Sequence, residues 1–202
     1  MNQDIQDYFK NAREAIDQIP LSKVSELADA ILKVYQDGAT IFSMGNGGSG
    51  ATATHVAGDY VKGASFGLDK RFRFMCLNDN IPALMAISND ISYDAIFEEQ
   101  LKNFAKQGDL VIGLSGSGNS KNVVNALQWA KDQGIMTAAL TGYRGGQCAA
   151  IADISIHIPV SDMEIVEDLH MMVFHAVKRR ITHVLLGHNP GMGAVYDQRI
   201  GM

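Results

Sequence analysis

The chain has 202 residues, enough for one domain that buries about two-thirds of its unfolded surface without disulfide or metal support. It is 47% hydrophobic and 19% charged, which excludes a disordered chain. Its 17 Lys and Arg stand against 22 Asp and Glu, a net charge of -5, so no overall field draws it to nucleic acid. The short basic run Lys178-Arg179-Arg180 falls inside a helical pattern and reads as a solvated face. Cys76 and Cys148 lie far apart in apolar or small-residue contexts and form no metal or redox motif, which predicts buried thiols in a reducing compartment. The N-terminal stretch is polar and amphipathic, unlike a signal peptide, and no apolar run reaches the length of a membrane span. The expectation is a cytoplasmic protein with neither nucleic acid nor membrane as partner.

In chain order, helical patterns cover about Gln3 to Gln18 and Ser22 to Gln36, separated by Pro20, with Ser22 and Glu26 fitting a helix start. Short apolar runs then alternate with helical spacing: Ala39 to Met44, Phe72 to Leu77, Leu110 to Leu114, Met136 to Leu140 and Ile154 to Ile158. Val123, Ala126, Leu127 and Ala130 show one such helical face. This rhythm predicts an α/β fold, a doubly wound, five-stranded parallel sheet with two N-terminal helices and a long C-terminal helix. That last helix runs from about Met163 to Leu186, with Asp162 or Ser161 as N-cap. The long terminal helices serve either subunit packing or covering of the sheet. Residues 1–202 read as a single domain, with 1–37 as packing and oligomerisation helices and 187–202 as an irregular tail.

Two loops carry the functional signal. Gly45-Asn46-Gly47-Gly48-Ser49-Gly50 follows the first strand and matches the dinucleotide pattern G-x-G-x-x-G, but the expected acidic residue is misplaced, with only Asp79 on offer. Ser115-Gly116-Ser117-Gly118-Asn119-Ser120 follows the third strand and also runs into a helix. Paired hydroxyl-bearing loops at the carboxyl ends of parallel strands suit a phosphate monoester, held by backbone N–H groups and serine hydroxyls. No P-loop lysine is present, so nucleoside triphosphates are not expected. The phosphate candidates are Asn46, Gly47, Ser49, Ser115, Ser117 and Ser120.

His55 and Asp59 lie four apart on the helix after the first loop and share a face, a spacing that can share a metal or a proton. The last helix carries Glu167, His170 and His175. Glu167 and His175 are separated by about 12 Å along a straight helix, so one ion is not easily held by both. Either the helix bends, or ligands come from different subunits, or only some of them bind metal. His170 and His175 sit among apolar neighbours, and a core role stays open for one of them.

The pairing of GNGGS with SGSGNS resembles the sugar isomerase (SIS) domain, and within it the phosphoheptose isomerases. Ser88-Asn89-Asp90, Leu140-Thr141-Gly142 with Gly145-Gly146, and Glu167-Asp168-Leu169-His170 with His175 extend the likeness to about Leu186. The resemblance implies a flavodoxin-like SIS fold and a homotetramer with active sites between subunits. It implies a zinc site at His55, Asp59, Glu167 and His175, catalysis by Asp59, His175 and Glu167, and further substrate contacts from Asn89 and Asp90. Asp59 stands where that family usually has Glu, Glu167 where Gln is usual, and Gly116 where Thr is common. Lys62 replaces a usual Arg nearby as a point charge for the phosphate. The implied reaction converts sedoheptulose 7-phosphate to a manno-heptose 7-phosphate through an enediol. One carboxylate, Asp59 or Glu167, acts as base and zinc polarises the carbonyl. A non-catalytic sugar-phosphate sensor and, from the glycine pattern, a nucleotide-dependent oxidoreductase are the competing readings.

Overall fold

The computed structural model describes residues 2–187. Helix α1 (Gln3–Ile16) is capped by Asn2, whose side chain accepts from Asp4 N. Helix α2 (Leu21–Asp37) begins one residue earlier than the Ser22 start expected from sequence. Pro20 takes the cap position without a side-chain bond, and Glu26 pairs instead with Lys23 at 2.7 Å. Five strands follow: β1 (Thr40–Gly45), β2 (Arg73–Cys76), β3 (Leu110–Ser115), β4 (Met136–Thr141) and β5 (Ile154–His157). They form one parallel sheet in the order β2-β1-β3-β4-β5, the flavodoxin-like arrangement. The β2 ladder is shorter than the apolar run Phe72 to Leu77 predicts, because β2 is an edge strand, yet Leu77 N still donates to Ser43 O.

Adjacent residues of each strand point to opposite faces, which builds two cores. Ile41, Leu110, Ile112, Leu140 and Ile156 face α2, helix α3 (Gly47–Gly58) and helix α8 (Met163–Leu186). Phe42, Val111 and Ala139 face α5 (Glu98–Phe104), α6 (Lys121–Asp132) and α7 (Gly146–Ile151); α4 (Ile81–Asp90) joins that side through Leu84 and Ile87. Of the terminal helices, α2 and α8 cover the sheet. Helix α1 packs on α8 through Tyr8, Ala12 and Ala15 and leaves Ile5 and Phe9 exposed. Asp162 caps α8 by accepting from Ile165 N. Cys76 and Cys148 are buried free thiols, and burial pushes the Cys148 thiol up to about 12. The irregular tail expected over 187–202 lies outside the described residues apart from Gly187. Among the described residues no helix is long and apolar enough to cross a membrane.

Helix α3 does not end cleanly. It runs into a π-helical turn, Asp59–Ala64, that no pattern in the sequence announced. Ser65 Oγ donates to Tyr60 O at 2.8 Å and accepts from Phe72 N at 3.0 Å, closing the wide turn onto the lead-in to β2. Such turns re-aim side chains without breaking the helix.

His170 belongs to the core. It is fully buried, neither ring nitrogen makes a hydrogen bond among the described residues, and burial drives its pKa down to about 4 against a small opposing effect of the Thr141 main chain. The unfolded chain takes up this proton near pH 6.5, whereas the folded chain resists it until about pH 4. The stabilising effect is therefore complete above pH 6.5 and is lost as pH falls through the window down to about 4, about 3 kcal/mol in all. Urea denaturation between pH 7 and pH 4 is expected to show a shallower acid limb in His170→Leu than in the parent chain; parallel limbs in the two proteins count against this assignment.

Candidate functional site

In this strand order the loops after β1 and β3 diverge to opposite faces and leave a crevice at their carboxyl ends. A reciprocal amide pair ties the loops together. Asn46 Nδ2 donates to Asn122 Oδ1 and Asn122 Nδ2 donates to Asn46 Oδ1, each at 2.9 Å, and the Tyr93 hydroxyl also donates to Asn46 Oδ1. The Asn46 side chain, expected on the phosphate, is thus engaged in shaping the crevice. Asn122 and Tyr93 are the partners that sequence reasoning missed, and nothing in their local sequence marks them. In the second loop Ser115 Oγ accepts from Gly118 N at 3.1 Å and donates to Ser120 Oγ at 3.1 Å. Ser120 is the N-cap residue of α6 but makes no side-chain cap bond, so its hydroxyl belongs to the loop. Ser117 is exposed at the tip, Ser115 and Ser49 are buried, and Gly47 is exposed at the start of α3. At Gly116 the Met163 thioether occupies the place a Cβ would take, so a larger residue there would have to displace it. Asn89 and Asp90 lie on the exposed end of α4, bonded to each other at 2.6 Å.

The second feature lies where α3 and α8 run side by side. His55 Nε2 and His175 Nε2 stand 3.3 Å apart, and Asp59 Oδ2 is 3.7 Å from each. In a tetrahedral shell with bonds of about 2.0–2.1 Å, ligand atoms lie about 3.3–3.5 Å apart, so this triangle fits three protein ligands with a fourth position open. Both imidazoles are about half exposed, which leaves that position accessible. The other carboxylate oxygen, Asp59 Oδ1, takes a 2.7 Å ion pair from Lys178 Nζ. Lys178 is therefore no part of a solvated face: its side chain is only 12% exposed, while Arg179 and Arg180 do face solvent. The clue was its position, three residues after His175 and hence on the same side of α8.

Glu167 stands apart from the triangle within the chain. Its carboxylate lies directly over Gly48 in the first turn of α3, where a side chain would have to push it aside. His175 is eight residues further along α8, about 12 Å at the helical rise. An acidic group over the helix N-terminus opposes the close approach of a pyrophosphate. Asp79 is also occupied, accepting from Thr54 Oγ1 at 2.8 Å. Together with the strand order, these features argue against the dinucleotide reading of the glycine pattern. Lys62 sits exposed in the π-helical turn.

The sheet order, the paired loops and the helix-borne triangle define a class. The chain belongs to the SIS domain family, whose model matches residues 7–142. It is 38% identical over 174 residues to a probable phosphoheptose isomerase of Thermoplasma volcanium, covering 86% of this chain and 88% of that one. It is 36% identical over 170 residues to a phosphoheptose isomerase of Aneurinibacillus thermoaerophilus, covering 83% and 85%. A solved phosphoheptose isomerase from Neisseria gonorrhoeae superposes with a TM-score of 0.82 at 28% identity, over 89% of this chain and 97% of that one.

If the second loop cradles phosphate, inorganic phosphate is expected to raise the melting temperature of the protein. The rise should disappear in Ser120→Ala, which removes one hydroxyl and frees Ser115. An equal rise in both proteins places the anion elsewhere.

Proposed function

We propose that this chain is an aldose–ketose isomerase that interconverts sedoheptulose 7-phosphate and D-glycero-D-manno-heptose 7-phosphate, for the biosynthesis of heptose-containing surface polysaccharide. The observation that carries the reading is the combination of two polar loops at one crevice with a two-histidine, one-carboxylate triangle where the end of α3 meets α8. A site that only sensed sugar phosphate would need the loops but not the triangle. The similarity to proteins named phosphoheptose isomerase over more than four-fifths of the chain supports the choice of substrate.

His55, Asp59 and His175 would hold zinc; the donor set of two imidazoles and a carboxylate suits that ion. Held there, zinc would supply a Lewis acid for the substrate carbonyl. Ser115, Ser117 and Ser120 bind the phosphate, with Gly47 and Ser49 at the neighbouring loop and Asn46 holding the two loops in register. Asn89 and Asp90 extend the substrate contacts, and Lys62 offers a cation at the rim. Asp59 is the carboxylate set among the histidines. Its Oδ1, the oxygen outside the triangle, moves the proton between the carbon beside the carbonyl and the carbonyl carbon itself, and His175 exchanges the proton on oxygen through Nδ1, since its Nε2 faces the triangle. Glu167, at the other end of the α3–α8 contact, orients substrate rather than serving as the base. The exposed triangle and the apolar residues Ile5 and Phe9 on α1 support a homotetramer with active sites shared between subunits.

Proton NMR of the zinc-loaded protein with sedoheptulose 7-phosphate in D₂O tests the reaction. Deuterium is expected at the carbon beside the carbonyl, and its absence in protein that binds the sugar would sink the isomerase reading. Steady-state kinetics assign the base: Asp59→Asn is expected to lower kcat by at least about 100-fold. Glu167→Gln, which installs the residue usual in the resembling enzymes, is expected to stay within about threefold on the same grounds. The reverse ranking moves the base to Glu167.

A further inference from the structure

Lys178 has an environment unlike the other lysines. Its ammonium is largely withdrawn from water, against Gly63 of the π-helical turn and the Oδ1 oxygen of Asp59. A Cβ on Gly63 would stand 2.9 Å from Lys178 Nζ and 3.1 Å from its Cε, so a side chain at residue 63 would press on the lysine tip. The remaining ion pairs that lysines make among the described residues have the lysine side chain at least 41% exposed, against 12% for Lys178. Such a pair carries a desolvation cost that surface pairs avoid, and it holds its carboxylate in one orientation.

We propose that Lys178 is a positioning residue that restricts Asp59 to ligation through a single oxygen. With Oδ1 held at 2.7 Å by the ammonium, only Oδ2 faces the two imidazole nitrogens, at 3.7 Å from each. A carboxylate released from that hold can rotate both oxygens toward a cation, adding a fifth ligand beside the solvent or substrate at the fourth position and crowding substrate there. The shorter side chain of Asp, compared with the Glu usual at this place, makes the constraint local: Lys178, Gly63 and Asp59 meet within one turn of the helix. Lys178 acts through Asp59 and not on the substrate. The inference rests on the metal reading of the triangle given above.

Cobalt(II) is the probe, because its visible absorption is strong in four-coordinate sites and weak when a fifth ligand enters. The parent protein and Lys178→Arg, which can pair with the same oxygen, are expected to give the strong spectrum. Lys178→Met is expected to lose absorptivity severalfold while binding zinc no more weakly, since an ammonium that repels the ion is gone; kcat/KM falls with it. Lys178→Met that is folded and keeps the parent cobalt spectrum overturns the proposal, and a lowered urea midpoint as its sole change marks a purely structural ion pair. Should Lys178→Met not fold, Gly63→Ala, which presses on the ammonium, is expected to weaken the spectrum in the same direction, and an unchanged spectrum there overturns the proposal equally. If the parent protein takes up neither cobalt nor zinc, the metal reading itself fails, which a binding measurement on the parent chain distinguishes.

Discussion

The side-by-side packing of α3 and α8 is the constraint on which the site depends. Both helices lie on the same face of the sheet, and they run in the same direction, so that Gly48 meets Glu167 at one end and His55 meets His175 at the other. Val56, Ala57, Val173, Phe174 and Val177 supply the shared apolar layer beneath this contact. Burying that layer is what brings together polar groups separated by 120 positions in the chain. A small shift of one helix along the other would part the imidazoles before it disturbed the strands.

Charge is distributed along that contact with a consistent logic. Asp59 is balanced by Lys178 and faces two imidazoles, whereas Glu167 makes no hydrogen bond or ion pair among the described residues and sits over a helix N-terminus, where the macrodipole favours an anion. One end of the contact thus gathers groups that could hold a cation, and the other carries an anionic side chain. The second loop, the proposed phosphate site, offers serine hydroxyls rather than carboxylates. The amide pair between Asn46 and Asn122 keeps the two loops at a fixed separation while these unlike sites do different work.

Much of the fold was legible because its signals are local. Short apolar runs ended by Gly, Asn, Ser, Thr or Pro marked each strand, and the 3.6-residue spacing around Val123 to Ala130 marked a sheet-facing helix. The two loops were legible for the same reason: their glycines and serines are contiguous. What stayed hidden is what depends on distant partners. The basic run at Lys178 looked like solvent-facing charge, since nothing near it in sequence reveals Gly63 or Asp59. The π-helical turn was invisible because its extra residue follows from the Ser65 and Tyr60 contact and not from a pattern. Between His170 and His175 the apolar flanks were alike, and only the angular position on α8 sends one into the core and the other to the surface.

The separation of His55 from His175 also bears on how the molecule is made. Every strand pairing here is parallel, so each needs a crossover, and the triangle closes only when α8, the last described element, docks. Topologies dominated by such long-range contacts fold slowly, because loop closure precedes the contacts that reward it. A nascent chain can form the loops and the sheet around β1 and β3 well before it possesses the second histidine. A growing chain that has not yet made α8, or one in which α8 has come away, has no complete triangle with which to capture stray cations.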